Sequence, residues 1–177
     1  VQSRDVYSLL ICKPVLAPLL FSTDPGKNRF IYRGAMKERS LLNIKPDAVA
    51  RNIIGDILSR VEDAGFTIIA LSKVRLEIEE AEEFYRDHKG KPFFQGLCEY
   101  ICSGPCVPVV VESENGIAGL RKLVGATDPS DAGQGTIRNL FGVDGRRNSV
   151  HASDSAENAK REISFFFSDH NLYLLSR

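Results

Sequence analysis

Three histidines, His88, His151 and His170, are the chain's natural candidates for nucleophilic or acid–base chemistry near neutral pH. His88 lies in the charged run Arg-Asp-His-Lys, and His170 follows Ser-Asp near the end of the chain, so both read as solvated surface residues. His151 is placed differently. It stands between an apolar strand edge, Ser149-Val150, and a helix-start sequence, Ala152-Ser153-Asp154-Ser155. The free N–H groups and dipole of a helix N-terminus attract anions. A neutral imidazole in that position can accept a phosphoryl group if a partner holds its other ring nitrogen. Glu162 lies eleven residues further on, within the last helix, and can reach back to do this. Taken alone, His151 would serve structure as readily as chemistry, and Glu162 would be an ordinary solvated glutamate.

Phosphoryl transfer also needs cations around the phosphates. Lys45 at a strand end, Arg121 in a helix, and Arg138 and Arg147 in a long loop are the candidates. Other routes to the same chemistry are missing. Gly26-Lys27 continues with Asn28 and Gly90-Lys91 with Pro92, so neither is a P-loop. The protein-kinase glycine-rich and His-Arg-Asp patterns, the Gly-x-Ser-x-Gly elbow and the His-Glu-x-x-His zinc motif are absent too. Cys98, Cys102 and Cys106 repeat at spacing four, but Gly104-Pro105 interrupts any shared helix face and no Cys-x-x-Cys pair exists. With Cys12 they read as thiols in a reducing compartment.

The elements that must position these residues alternate from residue 39 onward. Ser40 to Lys45 is a short apolar strand, and Pro46-Asp47 opens a helix. Val49, Ile53, Ile54, Ile57, Leu58 and Val61 recur at helical spacing until Gly65 stops the run. Phe66 to Leu76 is rich in branched residues and reads as a strand. Helices over 78–88 and 93–101 follow, then a strand over 106–112 whose Pro108 places it at a sheet edge or at its own beginning. A helix spans 115–124, a glycine-rich loop runs from Gly125 to His151, a strand lies near 148–152, and Ser155 caps a helix over 156–167. A loop of that length in a compact domain is usually functional. This order suits an α+β sandwich, ferredoxin-like in plan, with helices over one face of a four-stranded, largely antiparallel sheet.

The 177 residues suit one domain with a substantial core. Basic and acidic residues balance at 23 each, which removes the broad electrostatic case for a nucleic-acid partner. Residues 1–35 differ from the rest, with five basic residues, two acidic ones and an apolar stretch from Tyr7 to Phe21. Lys13, Pro14 and Pro18 break that stretch, against a secretory signal. A basic, acid-poor transit peptide is a second reading. The favoured one is an extension outside the fold, with the domain over 36–177. No run reaches the ~20 apolar residues of a membrane span, and a cytoplasmic protein is expected.

Several segments together resemble the nucleoside diphosphate kinases of the bacterial, short-tailed type. They are Asn-Ile-Lys-Pro-Asp-Ala-Val (43–49), Lys-Pro-Phe-Phe (91–94), Ser-Gly-Pro (103–105), Gly-Ala-Thr-Asp-Pro (125–129), Gly-Thr-Ile-Arg (135–138) and Arg-Asn-Ser-Val-His-Ala-Ser-Asp-Ser (147–155). They occur in family order, and the similarity covers about residues 37–170. The resemblance implies a ping-pong transfer of the γ-phosphate of a nucleoside triphosphate to a nucleoside diphosphate through phosphohistidine at His151. Glu162 would orient that ring, with Ser153 hydrogen-bonding near it. Lys45 and Tyr85 would lie beside the transferring phosphate, and Arg121, Thr127 and Arg138 would bind the nucleotide phosphates. Asn148 would contact the sugar and Phe93 would stack on the base. Asp154 would help to hold Mg2+ through water. The family also implies self-assembly, as a tetramer or a hexamer.

Two positions depart from the family pattern. Ala152 follows the histidine where glycine is usual, a tolerable change unless φ must be positive. Asn139-Leu140-Phe141 replaces the usual small-acidic-Phe sequence in the loop. Two alternatives are an inactive or regulatory nucleotide-binding relative on the same fold, and a ferredoxin-like domain for RNA or small ligands. The second is disfavoured by neutral charge and by the lack of interleaved basic and aromatic residues.

Overall fold

The computed structural model describes residues 37–170 and Leu172, and the extension read over residues 1–35 lies outside them. Four strands, β1 (Glu38–Ile44), β2 (Thr67–Leu71), β3 (Val107–Ser113) and β4 (Val150–Ala152), form one sheet in the order β2-β3-β1-β4. Every pairing is antiparallel. Among the described residues, six α-helices lie between the strands, α1 (Pro46–Ala50), α2 (Ile54–Asp63), α3 (Ile78–Phe84), α4 (Phe94–Cys102), α5 (Gly116–Val124) and α6 (Ile137–Phe141), and α7 (Ala156–Phe166) follows β4. The α+β, ferredoxin-like expectation holds.

One part of it needs correction, because helices cover both faces of the sheet. Leu42 and Ile44 of β1 share a core with Val107, Val109 and Val111, closed by Ile57 and Val61 of α2 and Leu120 of α5. Leu41, one residue out of phase, joins Val110 in a second core with Phe84, Ile101 and Ile163 of α3, α4 and α7. Successive strand side chains point to opposite faces, so the unbroken buried run at the end of β1 requires cover on both sides. Each fully buried Leu, Ile or Val contributes about 1.5–3 kcal/mol.

Three further differences have local causes. The helix read from Pro46 to Gly65 is two helices, because Asn52 takes φ 58° between them; asparagine tolerates that left-handed region better than most residues. The Pro108 strand is interior, flanked by β1 and β2, not an edge. The proline is accommodated in the second way, as the second residue of β3, opposite Asn43. The branched segment after Phe66 pairs continuously only to Leu71, with a register shift between Ile68 and Ala70 and an isolated bridge from Val74 to Cys106.

The sheet sets the site. His151 pairs with Asn43 across β4 and β1, and Lys45 follows the end of β1 and donates its backbone N–H to Ser149 O at 2.8 Å. Two segments far apart in sequence therefore reach the same end of two neighbouring strands.

Candidate active site

His151 faces Glu162 across the gap between β4 and α7. Its Nε2 lies 2.9 Å from Glu162 Oε2. Ser153 Oγ donates to the same oxygen at 2.7 Å and accepts from Leu41 N–H at 3.3 Å. The helix that carries Glu162 is capped by Ser155, whose hydroxyl accepts from Asn158 N–H at 3.1 Å. An ionised carboxylate only accepts, so Nε2 carries the ring proton and Nδ1 keeps a free lone pair. Burial pushes the Glu162 pKa up, but the His151 and Ser153 hydrogen bonds and the nearby Arg161 outweigh it and leave it below its ordinary value.

Aromatic rings enclose the imidazole. Phe84 and Tyr85, successive residues at the end of α3, meet it edge-on with centroids 5.5 and 6.0 Å away. Tyr85 Oη is buried with no hydrogen-bond partner, and desolvation raises its pKa. His88 stacks on Tyr85 at 6.2 Å and touches Phe93 at 5.6 Å. His88 thus belongs to the cleft, not to the open surface that its charged neighbours suggest. Only the turn after α3, Arg86–His88, folds it back, and nothing in its local pattern signals that. Phe93 stands at the mouth, 49% exposed, with Lys91 Nζ 5.8 Å from its ring centroid.

On the other side two cations are buried without a carboxylate. Lys45 and Arg138 are 6% and 7% exposed. Lys45 Nζ donates to Asn148 Oδ1 at 2.7 Å, and Asn148 Nδ2 donates to the carbonyls of Thr127 at 2.8 Å and Gly145 at 3.0 Å. Arg138 Nη1 and Nη2 each reach a carbonyl at 3.0 Å, Gly125 and Val150 respectively, while its Nε is buried without a partner. Gly125 has φ 87° and a Cβ there would come within 2.4 Å of Thr136 Oγ1, so the turn that presents its carbonyl to Arg138 excludes a larger residue. Burial, then Arg138, lowers the Lys45 pKa to about 8. Burial, then Arg121, lowers that of Arg138 to about 10.

The remaining candidates are less constrained. Arg121 and Thr127 are exposed, and the Thr127 backbone carbonyl accepts from Asn148 Nδ2. Asp154 is exposed and accepts from Asn158 Nδ2 at 2.8 Å. Arg147, also read as a phosphate cation, instead closes a turn through Asp144 at 2.7 Å. Ala152 pairs with Leu42 in regular strand geometry, and the left-handed residue is Ser149, at φ 70°. The methyl group at position 152 therefore meets no conformational obstacle. The loop's Ile137–Phe141 is a helix that aims Arg138 inward.

A family model described as nucleoside diphosphate kinase matches residues 38–172. The chain belongs to the nucleoside diphosphate kinase family. That membership makes it a phosphotransferase by class. It is 53% identical over 137 residues to the nucleoside diphosphate kinase of Actinobacillus pleuropneumoniae serotype 5b (strain L20), covering 77% of this chain and 99% of that one. The Persephonella marina nucleoside diphosphate kinase is 50% identical over 131 residues, covering 74% and 94%. Among solved structures, the Aquifex aeolicus nucleoside diphosphate kinase superposes with a TM-score of 0.75 at 43% identity, over 77% of this chain and 99% of that one. The Halobacterium salinarum nucleoside diphosphate kinase, solved in complex with CDP, gives 0.73 at 40% identity, over 77% and 91%.

Proposed function

We propose that this nucleoside diphosphate kinase works by two phosphoryl transfers through Nδ1 of His151. The observation that carries the reading is the Nε2–Glu162 contact, which leaves Nδ1 as the nucleophilic nitrogen. In the first half, Nδ1 forms a bond to the γ-phosphorus while the bond to the β-phosphate oxygen breaks, and the nucleoside diphosphate leaves. In the second, a terminal phosphate oxygen of another nucleoside diphosphate attacks the phosphohistidine and frees the nitrogen. Glu162 compensates the positive charge that develops on the ring, and Ser153 holds Glu162 in place.

Lys45, Arg138 and Tyr85 bring donors to the phosphates. The buried, unpartnered Arg138 Nε and Tyr85 Oη support this, since buried polar groups in native proteins normally have partners. Arg121 and the Thr127 hydroxyl complete the phosphate contacts from the exposed side. Asn148, braced by Lys45, contacts the sugar, and Phe93 stacks on the base. Stacking on one phenyl ring reads the π-face of any base, so base selectivity is low.

Among the described residues no group of three His, Cys, Asp or Glu side chains could cage a metal. That fits Mg2+ carried chiefly by the substrate's phosphates, its usual habit, with Asp154 holding it through water. The ion neutralises phosphate charge when bound. Self-association as a tetramer or hexamer is part of the reading, supported by Leu71, 52% exposed on β2 at the end of the sheet order. A cytoplasmic location is supported by the free thiols of Cys98, Cys102 and Cys106.

The test is labelling with γ-labelled ATP and magnesium. The wild type forms an acid-labile, alkali-stable phosphoprotein that GDP discharges, and His151→Ala does not. Labelling of His151→Ala, or an unlabelled wild type, defeats the proposal.

A further inference from the structure

Phe84 and Tyr85 both lean on the His151 ring, yet neither is held there by a side-chain hydrogen bond of its own; Tyr85 Oη has no partner at all. What holds the peptide between them is Arg161. Its Nη1 donates to Phe84 O at 3.0 Å, and its Nη2 donates to Asp87 Oδ2 at 2.7 Å. One guanidinium therefore grips the chain on both sides of Tyr85. The first grip falls at the end of α3, where helical carbonyls lack intrahelical donors and the dipole favours a cation. The same Nη2 lies 3.8 Å from Glu162 Oε1, the oxygen that does not face His151, and 3.5 Å from Asn158 Oδ1. Arg161 and Glu162 are adjacent on α7, and Arg161 is largely buried, its side chain 21% exposed. A planar fork with fixed donors suits such a junction better than a lysine.

We propose that Arg161 is a positioning residue for phosphoryl transfer: it clamps the end of α3, and with it the Tyr85 ring, to the helix that carries Glu162, so that His151 is held between two coupled walls. The proposal rests on the phosphohistidine reading above. The Arg161 guanidinium reaches Phe84 O, Asp87, Asn158 and Glu162, and not the imidazole. It acts through Glu162 on one side and through Phe84, Tyr85 and Asp87 on the other. Three charged or titratable groups face Glu162: His151 from β4, Arg161 from its own helix, and the Tyr85 hydroxyl from the end of α3. Of these only Arg161 is a permanent cation, so its loss raises the pH at which Glu162 takes up a proton.

The test compares Arg161→Met, Arg161→Lys and Asp87→Asn with the wild type in single-turnover labelling by γ-labelled ATP and magnesium, across pH. Arg161→Met phosphorylates His151 about tenfold more slowly, with nucleotide binding changed less than about twofold and the acid limb of the rate profile moved to higher pH. Arg161→Lys restores the acid limb but only part of the rate, because one ammonium cannot span Phe84 O and Asp87. Asp87→Asn slows labelling less and leaves the acid limb in place; as the substitution is half-exposed, it reports on the clamp even if Arg161→Met fails to fold. A folded Arg161→Met with the wild-type rate and acid limb overturns the proposal. So does a slowed variant whose loss matches its unfolded fraction at every pH. A wild type that forms no phosphohistidine removes the functional reading itself, and this proposal with it.

Discussion

The two sides of the cleft are built to different standards. In the nucleophile corner a continuous chain of bonds runs from Leu41 N–H through Ser153 and Glu162 to His151. At the mouth, Phe93 is half exposed, with the His88 ring and the Lys91 ammonium beside it. On the proposed mechanism, this bonded corner gives an in-line displacement the fixed attacking atom that it requires. On the same reading, the exposed ring at the mouth would offer a surface that any base can use. On the proposed mechanism, the difference teaches that hydrogen bonds are concentrated where the phosphoryl group would be transferred, while recognition is left to an open ring where substrates vary.

The comparison can be broken at the corner first. Glu162→Gln keeps the shape of the side chain but removes the charge that balances the phosphorylated ring. Turnover should fall roughly 10²-fold with KM nearly unchanged. A tenfold rise in KM with turnover intact would place Glu162 on the binding side instead. The wild type should also lose stability in acid. The folded Glu162 pKa lies below its unfolded value of 4.5, so its contribution is present above 4.5 and is lost as the pH falls through the folded value.

At the mouth the effect is smaller. Phe93→Ala gives up stacking worth about 1–3 kcal/mol, or about tenfold in KM, by a similar factor for purine and pyrimidine diphosphates. A loss confined to one base would show that the mouth discriminates after all. Between the two regions, Lys45 supplies a titration. Its folded pKa of about 8 lies below the unfolded 10.5, so the burial penalty is fully present below 8 and stability rises with pH between the two values. Bound phosphate favours the ammonium, so nucleotide binding at about pH 8.5 should take up a fraction of a proton. Calorimetry in buffers of different ionisation enthalpy measures it, and a buffer-independent heat would place the phosphate away from Lys45. The smallest effect is that of Ala152→Gly. In regular strand geometry glycine costs about 0.5–1 kcal/mol of stability and brings no gain in rate; a faster variant would show that the methyl group crowds the nucleophile.

How much of this was legible beforehand depends on the range of the forces involved. α5 and α7 were readable because their apolar residues repeat at helical spacing and Ser155 is a strong cap. His151 and Glu162 could be paired by a short reach between strand and helix. The break at Asn52 was hidden, because the apolar period runs straight through it. α6 was hidden because five residues carry no period. His88 looks solvated among Arg86, Asp87 and Lys89, and only the tertiary course of the chain places it between Tyr85 and Phe93. The orphaned Arg138 Nε and Tyr85 Oη are properties of the assembled cavity and have no local signature.

The antiparallel seam between β1 and β4 has a consequence for how the enzyme comes into being. Lys45 and Asn148, joined across that seam, stand 103 residues apart. During synthesis the first of these strands emerges long before the second exists, and closing so long a loop comes at an entropic cost. The proposed reactive centre thus depends on contacts of long range in sequence. A ribosome-bound fragment ending before Glu162 should be unable to hold a phosphoryl group efficiently, and recovery of labelling after dilution from denaturant should trail the return of helical signal. On that reading, labelling would report the closure of this long-range seam.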